Sequence, residues 1–126
     1  MGPIQPGEPI TRYIFQKSFF NKEKMFVKTG AFMPNRDNKT SVFRIKNYPE
    51  NEIWTLGEKI GVMRNRSLKA RADKIVDEIF KTGLKIIQET SQYERHADII
   101  GWPKEPEKQQ LLASALARDA YLRLLT

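Results

Sequence analysis

Glu94-Arg95-His96-Ala97-Asp98-Ile99-Ile100-Gly101-Trp102-Pro103 decides how the fold is read. Ala97–Ile100 is a short, largely apolar run of strand length rather than helix length. Proline has no N–H to give a ladder and pushes the residue before it into an extended conformation, so Gly101-Trp102-Pro103 ends the strand abruptly. Upstream, Leu84–Gln88 is a second short apolar run, and the polar stretch Glu89–Arg95 reads as the loop that lets the two pair. Downstream, Pro106 suits the first turn of a helix that continues through Leu111, Leu112, Ala115, Leu116, Leu122 and Leu125. This helix is apolar around much of its circumference, so it is expected to insert between other elements or to meet a partner.

Moving outward, residues 1–9 hold three prolines and two glycines and are expected to form a flexible tail, leaving 10–126 as one domain. Thr11–Phe15 is expected as the first strand. Met25–Met33 follows, with Met25, Val27, Ala31 and Met33 on one face, and Thr40–Lys46 follows the polar turn Pro34–Lys39. These two are expected to form an antiparallel hairpin with a long loop. In Thr40–Lys46, Phe43 and Ile45 share one face while Val42 and Arg44 share the other, which leaves the inward direction open. Pro49-Glu50-Asn51-Glu52 places acids where a helix dipole favours them, and Ile53, Leu56 and Ile60 form a stripe. Gly57 and Gly61 are expected to limit this helix to about three turns. A second helix is predicted from Ser67 as N-cap through Leu68, Ala72, Ile75, Val76 and Ile79 to Gly83 beyond its C-terminus. The order β-β-β-α-α-β-β-α predicts an α+β fold: a single small domain with a mainly antiparallel sheet of about five strands and two to three helices, one of them C-terminal.

The chain has 126 residues, 40% of them hydrophobic, which suffices for one core. There is no cysteine, which excludes disulfides, thiolate nucleophiles and zinc sites built on cysteine, and fits a reducing cytoplasm. No stretch approaches the ~20 apolar residues of a membrane span, and the N-terminus lacks the basic start and apolar core of a secretory signal.

His96 is the only histidine and therefore the default general acid or base. On a strand, the period of two puts Asp98 on its face, where the carboxylate would orient the ring, with Glu94 preceding on the same face. With no second histidine, a metal site is not expected, and nothing calls for a cofactor. The simpler role for His96 is structural, its ring bonding a backbone group near a strand end. Trp102 is expected to cap the core or, alternatively, to stack on a base. Gly57-Glu58-Lys59-Ile60-Gly61 lacks the Gly-Lys-Ser/Thr ending of a phosphate loop, and no Gly-x-Ser-x-Gly or His-Glu-x-x-His occurs. Among Ser18, Ser41, Ser67, Ser91 and Ser114, nothing marks a nucleophile.

Charge is more directive. The net charge is +7, and residues 1–66 hold 12 basic and 6 acidic side chains. No acid occurs between Ile60 and Ala72, yet Arg64, Arg66, Lys69 and Arg71 fall there, with Lys59 just before. Together with N–H groups expected at a helix start on Ser67, this run favours nucleic acid or an acidic protein partner. Such a balance also serves solubility alone. Arg12, Arg44 and Arg95 are further cations, which a sheet would gather around His96 or leave solvated.

Ala31-Phe32-Met33-Pro34, Ser41-Val42-Phe43-Arg44, Ile53-Trp54-x-Leu56-Gly57 and Arg95-His96-Ala97-x-Ile99-x-Gly101-Trp102-Pro103 occur in this order. In this the chain resembles small bacterial proteins carrying Phe-x-Pro, Ser-Val-Phe-Arg and His-Ala-x-Ile-x-Gly-Trp-Pro signatures, over roughly residues 12–117. The resemblance implies that the histidine segment and Arg44 belong to one architectural plan, and no catalytic role. The expectation from the residues is a small cytoplasmic, non-enzymatic module binding nucleic acid or another polyanion through Lys59, Arg64, Arg66, Lys69 and Arg71. Two alternatives stand beside it: an accessory subunit using the C-terminal helix, and an enzyme centred on His96 with Asp98 as orienter and Arg44 or Arg95 as anion holder.

Overall fold

Leu84–Gln88 and the histidine segment do pair: strands β6 (Lys85–Gln88) and β7 (His96–Ile100) run antiparallel, with Ile86 opposite Ile99. The computed structural model describes residues 1–125. The remaining elements are β1 (Pro9–Ile14), β2 (Phe20–Asn21), β3 (Phe26–Val27), β4 (Thr40–Arg44), α1 (Glu50–Met63), β5 (Ala70–Ile75), α2 (Val76–Phe80), α3 (Pro106–Arg118) and β8 (Tyr121–Leu124). Six strands form one antiparallel sheet in the order β6-β7-β4-β1-β5-β8, and β2 pairs with β3 alone. The fold is α+β, with three helices.

Both faces of the sheet are covered, which resolves the ambiguity of β4. Val42 faces a core with Ile10, Ile14, Ile99, Phe32 and Leu116, while Phe43 and Ile45 pack with Tyr13 against Ile53 and Ile60 of α1. Every residue of β4 except Ser41 is buried. A strand covered on both sides need not alternate apolar with polar.

Four local expectations are corrected. Ser67–Gly83 is not one helix: residues 70–75 form β5, and only Val76–Phe80 is helical. The spacing of Leu68, Ala72, Ile75 and Val76 fits a helix, but Ala70 and Ala72 also satisfy a period of two, and both are buried. Helix propensity separates ordinary residues by at most about 0.7 kcal/mol. A place between β1 and β8, with pairs running from Pro9↔Ile75 to Ile14↔Ala70, decides the matter through the ladder it completes. In Met25–Met33 only Phe26–Val27 forms a strand, pairing with β2, while Thr29–Phe32 forms a 3₁₀ turn that buries the adjacent Ala31 and Phe32. The expected hairpin with β4 is therefore absent, and β4 pairs with β1 and β7. The last helix stops at Arg118, and Leu122 reaches the core from a strand instead. Of the two expectations for its apolar surface, insertion among other elements is the one met: Ala113, Leu116 and Ala117 are buried in this fold, and Leu111 is exposed.

The glycines of α1 do not shorten it, since it runs for 14 residues. They permit close packing. A Cβ at Gly57 would stand 2.5 Å from the Tyr13 ring and 2.9 Å from Leu68. The Tyr13 ring cannot swing aside freely, because its hydroxyl donates to the Ile53 carbonyl. Gly57→Ala is therefore expected to destabilise the protein by about 1–3 kcal/mol despite the better helix propensity of alanine, as read from urea unfolding. Unchanged or raised stability would show that α1 does not sit this close to β1.

Candidate functional site

β1 and β4 pair only at Ile10↔Arg44 and Thr11↔Phe43, while β1 stays with β5 as far as Ile14↔Ala70. Beyond Thr11 the two strands have no ladder between them, and the Arg12 guanidinium occupies that gap. Its Nε donates to the Ala31 carbonyl and its Nη1 to the Ser41 carbonyl, both at 2.8 Å. Among the described residues no carboxylate pairs with Arg12. Burial, and then the charge of Arg64, push its pKa down to about 10, so it is still cationic at neutral pH. Arg12 lines a cavity of about 540 Å³ with Arg64, Arg66, Tyr13, Phe15, Gln16 and Phe19. The cavity wall contains three arginines and no acid.

The turn after α1 brings two of those arginines there. The Arg66 N–H donates to the Gly61 carbonyl at 2.8 Å, and Asn65 adopts a positive φ of 55°. A side chain at Gly61 would put its Cβ 2.6 Å from the Arg66 carbonyl oxygen, so glycine allows the chain to fold back over the helix end. Cations at a helix C-terminus also complement its dipole. That structural benefit does not require Arg12, which belongs to a different strand.

The basic run is thus divided. Arg64 and Arg66 join Arg12, and Lys59 is exposed on α1. Lys69 lies at a separate cavity with Lys17 and Lys22. Arg71 leaves the basic face altogether: its side chain is 1% exposed, sits 2.9 Å from Glu50 and 3.2 Å from Asp73, and stacks over Trp54. Its position on β5, directed toward α1, uses its charge internally. No helix starts at Ser67, so the backbone anion site expected there is absent. Trp102 is 4% exposed and donates its Nε1–H to the Ile99 carbonyl; it caps the core and offers no stacking face.

Around His96 the period of two holds: Asp98 Oδ1 is 3.3 Å from Nε2. Two partners were not legible. Ser41 Oγ lies 2.7 Å from Nε2, and Nδ1 lies 2.7 Å from the Glu89 carbonyl oxygen and 3.3 Å from its Oε2. Glu94 is exposed, and Glu89 is the carboxylate that reaches the ring from the loop. The Ser91 hydroxyl, with help from His96, holds the Glu89 carboxyl below the usual range. Ser41 could have been found only from strand register, because β4 lies beside β7 with Phe43 opposite His96, and Glu89 only from the way the loop after β6 returns to β7.

Arg44 and Arg95 do not gather at the histidine. Arg95 lies over the Tyr48 ring at 3.8 Å and donates to the Arg44 carbonyl. Arg44 is buried against Glu8, and its remaining N–H groups donate to the carbonyls of Gly2 and Pro3. The first nine residues, expected as a tail, therefore make defined contacts, including a Gly7 N–H to Asp77 bond of 2.7 Å. Among the described residues no group of three or more His, Asp or Glu could hold a metal ion, and no helix is long and apolar enough to cross a membrane. The chain matches no protein-family model, no curated protein and no solved structure.

Burial opposes ionisation of Glu8, but hydrogen bonds from Arg44 and the Gln5 N–H, with the Arg44 charge, outweigh it and lower its pKa. A carboxylate with a lowered folded pKa stabilises the fold above its ordinary range and loses that contribution as pH falls through the folded value. Unfolding free energy is thus expected to drop more steeply in acid for the unaltered protein than for Glu8→Gln. Arg44→Met, which leaves a buried charge unpaired, is expected to cost about 3–5 kcal/mol at neutral pH. Equal acid slopes in denaturant titrations would contradict the pairing.

Proposed function

We propose that the protein is a nucleic-acid-binding module of the cytoplasm, and that the cavity of Arg12, Arg64 and Arg66 receives backbone phosphates. The observation that carries this is Arg12 itself: a half-buried guanidinium, held by two carbonyls and with no carboxylate partner among the described residues, in a cavity where two more arginines converge. Three cations without an acid repel one another, and an incoming polyanion relieves that repulsion. Phe15 and Phe19 on the same wall are half-buried, which leaves aromatic surface on which an unpaired base can stack. That combination favours a single strand over a duplex. Lys59 on the outside of α1, and Lys17, Lys22 and Lys69 at the neighbouring cavity, extend the positive field along the strand. The cysteine-free composition fits a reducing compartment.

Fluorescence anisotropy with a labelled single-stranded oligonucleotide, titrated with protein at increasing salt, tests this. Binding is expected to weaken by about 0.9 or less of a log unit in affinity per log unit of salt for each phosphate contacted. Arg64→Ala and Arg66→Ala should each lower that slope by about one contact, while Arg71→Lys should leave it unchanged. No binding by about 10 µM protein at low salt, or a slope indifferent to Arg64 and Arg66, would remove the proposal.

A further inference from the structure

Ser41, His96 and Glu89 stand in the order hydroxyl, imidazole, carboxylate, although they come from β4, β7 and the loop before β7. The partners of the ring determine where its proton resides. A carbonyl oxygen only accepts, so the Glu89 carbonyl, 2.7 Å from Nδ1, takes its hydrogen bond from Nδ1–H. The neutral ring then carries a lone pair on Nε2, and Ser41 O–H, 2.7 Å away, donates to it. This is the relation of a hydroxyl nucleophile to its general base. Once Nε2 gains the proton, Asp98 Oδ1 and Glu89 Oε2, each 3.3 Å from a ring nitrogen, stabilise the imidazolium. On the main chain of the same serine, Arg12 Nη1 holds a positive charge 2.8 Å from the carbonyl oxygen. Ser41 is half-buried and the His96 side chain is 15% exposed, so the pair lies at the protein surface rather than sealed in the core.

We propose that Ser41 is a nucleophile activated by His96, with Glu89 as a positioning residue, and that the pair hydrolyses small carboxylic esters with an apolar acyl group. The apolar preference follows from the surroundings. The 42%-exposed Ile87 stands opposite Asp98 in register and offers apolar surface beside the pair, while the buried Phe43 backs the imidazole with its ring 5.2 Å away. Ser41 Oγ bonds to the ester carbonyl carbon while its proton passes to His96 Nε2. The tetrahedral adduct collapses, the bond from carbon to the alkoxy oxygen breaks, and the leaving alcohol takes the proton from Nε2. Water then attacks the acyl-serine, gives a proton to Nε2, and the carboxylic acid leaves as Oγ recovers that proton. No external reagent besides water enters. Ser41 does not line the arginine cavity, although Arg12 of that cavity bonds its carbonyl, so the labelling and hydrolysis tests are read without nucleic acid present.

The test is labelling of the full chain with an alkyl fluorophosphonate, read by intact mass and peptide mapping, together with hydrolysis of p-nitrophenyl acetate. One phosphonyl group is expected on Ser41, none on Ser41→Ala, and labelling about 100-fold slower on His96→Gln. Glu89→Gln is expected to lower kcat for p-nitrophenyl acetate with KM left in place, and Glu89→Asp to recover part of the loss; a purely structural glutamate would not split kcat from KM in this way. Absence of label on Ser41, or equal labelling with and without the imidazole, overturns the proposal. If His96→Gln does not fold, as judged by circular dichroism, the same point is read from the unaltered protein. Its labelling rate must then rise along a single titration, and a flat profile overturns the proposal.

Discussion

Covering both faces of a six-stranded sheet is the constraint from which the rest of this structure follows. With α1 on one side and α3, α2 and the Thr29–Phe32 turn on the other, most side chains of the middle strands are buried on both faces, Arg12 and Ser41 being half-buried. Charged side chains that fall there must be neutralised locally, since an unpaired buried charge costs several kcal/mol. Arg44 is met by Glu8 from the chain's own N-terminus, and Arg71 by Glu50 at the start of α1 and Asp73 on its own strand. These pairs tie loop and terminal segments to the sheet. They also remove from the surface two arginines that the charge pattern alone would assign to a ligand.

Arg12 is the exception, and its exceptional position explains the site. It lies where β1 leaves β4 to remain with β5, so carbonyl groups there lack a strand partner. A guanidinium supplies a donor to the Ser41 carbonyl of β4 and another to the Ala31 carbonyl of the Thr29–Phe32 turn, and retains its charge. Arg12, with the chain that follows β1 through Phe15, Gln16 and Phe19, lines the cavity in which Arg64 and Arg66 arrive from the turn after α1. Ladder geometry, helix termination and electrostatics thus converge at one place. On the other side of β4, pairing with β7 aligns Ser41 with the histidine, so a single strand contributes to both candidate chemistries.

How much was legible varied with the kind of signal. β1, β4 and the β6–β7 pair were visible because short apolar runs were bounded by turn residues, and α1 because its acids and stripe agreed. The segment from Ser67 to Gly83 was not, since alanines spaced by two satisfy helix and strand alike, and ladder partners 60 residues away in β1 settled it. Tyr121–Leu124 was absorbed into the preceding helix for the same reason: Leu122 fits either period. At the histidine, the local partner Asp98 followed from strand alternation. Glu89 required knowing how the loop returns, and Ser41 required knowing which strand lies beside β7.

By itself the sequence determined the α+β class, the positive field, the absence of thiol chemistry and the placement of Asp98 beside His96. Each depends on composition or on neighbours within a few residues, where backbone periodicity governs. Tertiary structure alone decided which arginines are paired and which converge, because ion pairing depends on distances between strands and helices far apart in the chain. It alone moved Arg71 inward, brought Arg12 to Arg64 and Arg66, and set Ser41 against His96. Sheet order is a long-range property, and function here depends on that order.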